Sequence, residues 1–223
     1  EGLDSDGFDA RCQHVLIEEI DSGILVGCYR LLHLADAARI RDSYSAQFYD
    51  LAALSAYPGP VLEMGRFCLH PDWHDPDILR LAWGAMTRLV DAGGVRLLFG
   101  CSSFAGCDAT AHADALALLR GHLAPKEWAP RRRAARVYEF GADMGTVQDT
   151  QRGLQGMPSL LRTYLGMGGW VSDHAVIDEA LDTLHVFTAV EIDRIGGCGE
   201  GRYQRIGGEE DVGCTVGVAR DEV

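Results

Sequence analysis

The run from residue 61 to 104 constrains the fold more than any other part of the chain. Val61–Leu69 is a β-branched and aliphatic stretch that follows the breaker Tyr57-Pro58-Gly59-Pro60, and it reads as a strand. Asp75 stands where a helix N-cap is wanted, with Pro76 at the first helical position. Ile78, Leu81, Ala82, Ala85, Met86 and Leu89 then recur at the spacing of a buried helical face until Gly93 and Gly94 end it. Residues 95–104 follow as a second strand. A strand, a helix and a strand in that order form a crossover unit, so the two strands are expected to lie parallel with a right-handed connection.

The flanking sequence extends this unit into a mixed sheet. Residues 14–20 and 24–32 are rich in aliphatic side chains and are separated by Asp21-Ser22-Gly23, which predicts a hairpin. Residues 109–123 read as a second amphipathic helix, 136–140 as a short strand and 158–167 as a third helix started by Pro158. Residues 170–177 and 184–192 are two further strand patterns. Beyond residue 195, eight glycines fall within 22 residues among scattered charges, so the tail 196–223 is expected to lack packed structure. The 223 residues, 47% of them apolar, suffice for one core, and residues 1–195 are read as a single α/β domain.

Charge and cysteine usage limit the function classes. A net charge of -13 disfavours nucleic acid and tight adsorption to an anionic membrane. No apolar run approaches the roughly 20 residues of a membrane span. The acidic opening, residues 1–9, carries no leader pattern, so a cytoplasmic location is expected, with transient contact at the inner membrane face allowed. The seven cysteines are scattered without C-x-x-C spacing and read as reduced thiols. Cys68 and Cys101, inside apolar strand runs, read as buried and inert.

Several residues carry chemistry. Glu63 and Arg66 interrupt an otherwise apolar strand, and charges are rarely buried unless paired. Their odd spacing puts them on opposite faces of a regular strand, but a bulge at Gly65 would restore a shared face. They are read either as an ion pair at a sheet edge or as site residues. His70 and His74 have metal-like spacing, yet Pro71 forbids the helix that spacing needs, and a capping role for His74 or Asp75 is preferred over a metal. Ser102 and Ser103 lie in a small polar strand end, from Cys101 to Asp108, without a G-x-S-x-G elbow; it reads as a substrate-lining segment. No glycine lies between Leu69 and Ile78, so the loop before the first helix offers no glycine-rich pyrophosphate cradle. Lys126, Arg131, Arg132, Arg133 and Arg136 form the one strongly basic cluster in an acidic chain, either a solvated loop face or a docking patch.

Three segments, taken in order, resemble a known family. Phe48-Tyr49-Asp50-Leu51, then Glu63-Met64-Gly65-Arg66-Phe67-Cys68-Leu69-His70-Pro71-Asp72-Trp73, then Phe99-Gly100-Cys101-Ser102-Ser103-Phe104-Ala105-Gly106-Cys107-Asp108 resemble the ornithine N-acyltransferases of bacterial ornithine-lipid synthesis. Pro158-Ser159-Leu160-Leu161-Arg162-Thr163-Tyr164-Leu165, Asp178 and Asp182-Thr183-Leu184-His185-Val186-Phe187 continue the likeness. It spans residues 8–195. The family has a further strand and helix before the position of Phe8, and its C-terminus differs from the glycine-rich end here.

The resemblance implies a GNAT-like acyltransferase fold, a central mixed sheet with flanking helices, related to N-acyl amino acid synthases and acyl-homoserine lactone synthases. It also implies transfer of a 3-hydroxyacyl group from acyl carrier protein to the α-amine of L-ornithine, with the carrier's thioester as donor and neither cofactor nor metal. Glu63 and Arg66 become the expected catalytic pair, and Phe67, Cys101, Ser102, Ser103, Phe104 and Asp108 the expected substrate lining. Arg131, Arg132, Arg133 and Arg136 become the expected docking patch for an acidic carrier. Another amino-acid acceptor, or a catalytically inactive carrier-binding module, are the competing readings.

Overall fold

The structure, a computed structural model, describes residues 5–73, 75–141, 147–195 and 214–219. The hairpin forms as read, with β1 at Gln13–Glu19 and β2 at Leu25–Leu34. Two short strands, β3 at Tyr49–Asp50 and β6 at Arg131–Arg132, pair apart from the main sheet. The main sheet adds β4 (Val61–Leu69), β5 (Leu97–Ala105), β7 (Val137–Glu139), β8 (Trp170–Asp178), β9 (Thr183–Glu191) and β10 (Cys214–Ala219). Its order is β10-β1-β2-β4-β5-β9-β8-β7. Every neighbour pair is antiparallel except β4 and β5, which are parallel as the crossover requires. The tail expectation is corrected at Cys214–Ala219: its alternation Cys-Thr-Val-Gly-Val-Ala suits an edge strand, and β1 supplies the ladder. Residues 196–213 lie outside the described residues.

Helix α1, Pro76–Ala92, is capped by the Asp75 carboxylate accepting from Asp77 N–H, and it packs Ile78, Ala82, Trp83, Met86 and Val90 onto one face of the sheet. The same side carries α2 (Ala113–Leu119), α4 (Ser159–Gly166) and the short α5 (Ile192–Ile195), with α3 (Thr150–Gly156) packed on α2. The helix expected over 109–123 is instead three pieces, a 3-10 turn at Ala109–His112, α2, and a second 3-10 turn at Arg120–His122. The break falls at His112, whose Nε2 lies 2.9 Å from the Ala105 carbonyl. No sequence signal announced α3, a glycine-containing segment that depends on its neighbours. Asp149 caps it, and a Cβ at Gly153 would come within 2.9 Å of the Asp114 carbonyl.

The opposite face of the sheet is covered by three 3-10 segments, Ala37–Asp42, Ser45–Gln47 and Ala53–Ala56, and by β3 and β6. Ala37, Ile40, Tyr49, Leu51, Leu54 and Tyr57 bury themselves there against Val61, Leu97, Phe99, Phe187 and Ala189. This second layer holds the functional site.

Candidate active site

The parallel ladder between β4 and β5 runs Val61↔Leu97, Leu62↔Leu98, Glu63↔Phe99 and stops. Beyond that pair the strands fork, and the backbone of β4 has no β5 ladder to satisfy it. Gly100 is the residue at the crotch of the fork. A Cβ there would fall 2.3 Å from the Met64 carbonyl, so only glycine permits this approach. On its other edge β4 pairs with β2, and the register jumps from Arg30↔Gly65 to Cys28↔Cys68, so two β4 residues oppose Tyr29 alone. This is the expected bulge, displaced from Gly65 to Arg66 and Phe67. Arg66 takes φ 52°, a left-handed conformation that costs a non-glycine residue roughly 1 kcal/mol or more.

Because of the bulge, Glu63, Gly65 and Cys68 share one face despite their spacing, and Arg66 joins them around a cavity of about 220 Å³. Cys68 is therefore corrected from buried to exposed, while Phe67 turns to the opposite face and stacks on Tyr29 at 5.9 Å. The remaining wall comes from Phe8, Cys12, Arg30, Tyr44, Cys101 and Ser103.

Glu63 is 4% exposed. Its Oε1 accepts from Ser45 N–H at 2.7 Å and from the Ser45 hydroxyl at 2.6 Å, and its Oε2 accepts from Tyr44 N–H at 2.8 Å. Burial raises its pKa, partly offset by these hydrogen bonds. Among the described residues Oε1 thus carries two hydrogen bonds and Oε2 one. Glu63 and Arg66 are not an ion pair. The Arg66 guanidinium reaches Asp6 at 3.3 Å, so the carboxylate is held by the 3-10 layer and the guanidinium by the N-terminal segment.

Arg30 is the centre of a charge cluster that the sequence reading passed over. Its side chain is 5% exposed, yet it donates to Asp6 through both terminal nitrogens, at 2.7 and 2.9 Å, and to Asp9 at 2.6 Å. The guanidinium also lies 5.7 Å from the Phe8 ring centroid and 5.6 Å from that of Tyr44. Hydrogen bonding to Arg30 holds the Asp6 carboxyl far below its usual range, and the Asp9 carboxyl is lowered by its bond from Asp6 N–H and by Arg30. Burial alone would favour neutral Arg30, but the two carboxylates more than offset it. Asp6 thus bridges the two guanidiniums of Arg30 and Arg66 at the cavity edge. The signal was a lone arginine in the apolar strand Leu25–Leu34 together with the paired acids Asp6 and Asp9.

The expected substrate lining divides by strand alternation. Cys101 and Ser103 face the cavity. Ser102 points the other way and meets Thr188 Oγ1 at 3.0 Å, and Phe104 is buried in the helix-side core. Asp108 is exposed and caps the turn at Ala109–His112, accepting from Thr110 N–H at 2.9 Å. Burial pushes the Cys101 thiol up to about 12, so it stays protonated and is no nucleophile. Among the described residues no group of three or more potential metal ligands occurs, and His74 lies outside them.

Arg131, Arg132, Arg133 and Arg136 are all exposed. Arg132 reaches Glu139 at 3.4 Å and Arg136 pairs with Glu179, which tempers but does not erase the patch. It belongs to the covering layer of the cavity. Ala134 N–H donates to the Phe48 carbonyl at 2.9 Å, and the Phe48 ring lies 5.4 Å from that of Tyr44, a cavity residue.

Residues 1–84 match the model of the acetyltransferase (GNAT) domain. The L-ornithine N(alpha)-acyltransferase of Rhodobacter capsulatus is 35% identical over 195 residues, covering 85% of this chain and 74% of that protein. Its counterpart in Brucella abortus is 32% identical over 203 residues, covering 87% and 72%. A solved CoA-dependent acyl-homoserine lactone synthase superposes with a TM-score of 0.43 and 12% identity, over 95% of this chain and 78% of the other.

Proposed function

The chain belongs to the L-ornithine N(alpha)-acyltransferase family, and from that premise we propose that it transfers a 3-hydroxyacyl group from acyl carrier protein to the α-amine of L-ornithine. Membership of that family makes the chain an N-acyltransferase of the GNAT class. The observation that carries the finer reading is the fork after Glu63↔Phe99, which opens a slot for an extended thioester beside a buried carboxylate.

In this reading the neutral amine attacks the thioester carbonyl carbon. The C–N bond forms, the C–S bond breaks, and the thiolate leaves with the carrier. Glu63, its pKa raised by burial, takes the amine proton on Oε2, the oxygen that accepts from Tyr44 N–H alone among the described residues. Unpaired β4 amides at the fork polarise the carbonyl. Arg66 receives the acceptor's carboxylate, held in place by Asp6 while Arg30 fixes Asp6 in turn.

Carrier protein is favoured over coenzyme A as donor by the start of α1. Pro76 has no N–H to give, the Asp75 carboxylate already takes Asp77 N–H, and Asp77 adds a second negative charge to the first turn. Such an N-terminus repels a pyrophosphate. The exposed arginines at 131–133 suit the acidic surface of a carrier. No prosthetic group enters the scheme.

The test is to incubate the purified protein with 3-hydroxyacyl carrier protein or acyl-CoA and with ornithine, lysine, glutamine or glycine, reading amides by mass spectrometry. Ornithine amide from the carrier thioester is expected. A preference for glutamine or glycine would move the acceptor, efficient use of acyl-CoA would move the donor, and no amide from any pair would leave a carrier-binding module.

A further inference from the structure

Cys28 on β2 and Cys68 on β4 are direct cross-strand partners. His70 N–H donates to the Val26 carbonyl at 2.8 Å, which makes 26/70 a hydrogen-bonded position. Stepping along the ladder through Gly27↔Leu69 makes Cys28↔Cys68 the next hydrogen-bonded pair. Such a pair sets its Cα atoms about 5.5 Å apart, inside the roughly 4.4–6.8 Å that a disulfide accepts. The thiols feel each other, since Cys68 adds to burial in raising Cys28. Both are free, Cys68 is exposed, and it forms part of the cavity wall, whereas Cys28 does not.

This arrangement exists because of the bulge. Cys68 lies two residues past Arg66, and without the extra residue it would face the helix side with Phe67's neighbours. The other described thiols have no such partner. Cys12 is in the same wall but roughly 13 Å from Cys28 along the sheet, four residues at about 3.3 Å each. Cys101 is engaged by the Ser45 hydroxyl at 3.4 Å.

The geometry points to Cys28 and Cys68 as a reversible dithiol–disulfide site that turns off the acyl cavity under peroxide. In the first step the exposed Cys68 sulfur attacks hydrogen peroxide, giving a sulfenic acid and one water. In the second the Cys28 thiol attacks that sulfur, forming the S–S bond and releasing the second water. Two thiol sulfurs are oxidised, the two peroxide oxygens are reduced, and the two thiol protons leave in water. The bond draws the Cys68 side chain out of the cavity wall and locks the ladder beside the bulge that presents Arg66. A misplacement of about 1 Å at a reacting centre costs up to roughly a hundredfold in rate. Exposed disulfides are also the ones most easily reduced again.

The experiment titrates the full chain with hydrogen peroxide and analyses it by intact-mass and non-reducing peptide mass spectrometry. The tryptic peptide carrying Cys28 also carries Cys12, so Cys12→Ser provides the background in which the linkage is assigned. The expected results are a loss of two hydrogens, a Cys28–Cys68 crosslink, and a fall in acyl transfer of at least about tenfold that dithiothreitol reverses. Cys28→Ser should keep its basal rate and resist inactivation by reversible crosslinking. Overoxidised Cys68 without a crosslink, or a crosslink through another pair, would overturn the site. A Cys28–Cys68 crosslink with unchanged turnover would overturn its control of the cavity. The crosslink is read by mass and does not depend on the ornithine assignment, which fails separately if the reduced protein makes no amide.

Discussion

The Ser45 hydroxyl joins Glu63 to Cys101: it donates to Glu63 Oε1 at 2.6 Å, and its oxygen lies 3.4 Å from Cys101 Sγ. One side chain from the 3-10 layer thus ties the last β4 residue paired with β5 to the first cavity residue of β5, across the fork. Among the described residues no cation is bonded to this carboxylate, and this decides how the site responds to substitution.

Glu63→Gln should lower turnover at least about tenfold, because the proton acceptor is lost. It should also cost about 1–3 kcal/mol, since a side-chain amide cannot accept from Tyr44 N–H and from Ser45 at once without turning its own donors onto them. Steady-state kinetics beside a thermal melt separates the two. Wild-type rates in this variant would remove Glu63 from the chemistry.

Arg66 allows a cleaner division. Arg66→Gly removes the guanidinium but suits φ 52°, so the melting point should hold or rise while turnover falls at least tenfold. Had Arg66 been the counterion of Glu63, its loss would cost about 3–5 kcal/mol. The hydrogen bonds from Tyr44 and Ser45 remove that expectation. A large drop in stability with Arg66→Gly would show that the Asp6 contact carries the local fold.

Stability should fall as pH drops from 6.5 toward 4, in part through His185. Burial lowers its pKa from 6.5 to about 4, so in that window the unfolded chain binds the extra proton and the folded chain does not. The sign is therefore a gain of stability with rising pH, complete above 6.5. His185→Gln should flatten this part of a melting-temperature profile. An unchanged slope between pH 6.5 and 4 would remove His185 as its source, since the lowered carboxyls of Asp6 and Asp9 act only at more acidic pH.

Arg131, Arg132 and Arg133 changed together to glutamate should raise the apparent KM for acyl carrier protein well over tenfold, and added salt should mimic part of the loss. A minimal acyl-pantetheine thioester, which never touches the patch, should react at nearly the wild-type rate. Equal loss with both donors would assign the arginines to the fold, through the Arg132 bonds to Ala134, Ala135 and Glu139.

Gly100→Ala should destabilise by about 1–3 kcal/mol, because its methyl group collides with backbone at the Met64 carbonyl, where no rotamer can yield. Denaturant unfolding reads the cost, and a neutral result would mean that the fork opens freely.

What the sequence by itself determined were the elements whose signals are local. The hairpin, the β4–α1–β5 crossover and α4 are written in turn residues, a cap, prolines and hydrophobic periods that lie beside one another in the chain. The charged residues within β4 were visible too, and so was the need for a bulge to bring them to one face. The tertiary structure alone decided what those residues meet. Glu63 is bound by Ser45 from 18 residues away, Arg30 by Asp6 from 24, and Arg66 reaches Asp6 across 60. Ser102 and Phe104 were grouped with Cys101 and Ser103 by composition, but the pleat sends them to the opposite face. Cys28 and Cys68 are forty positions apart and became neighbours through a register that one extra residue at Arg66 sets. Such pairings carry no period and no motif, because they arise from which strand edges meet in space, and that is fixed only when both faces of the whole sheet are covered.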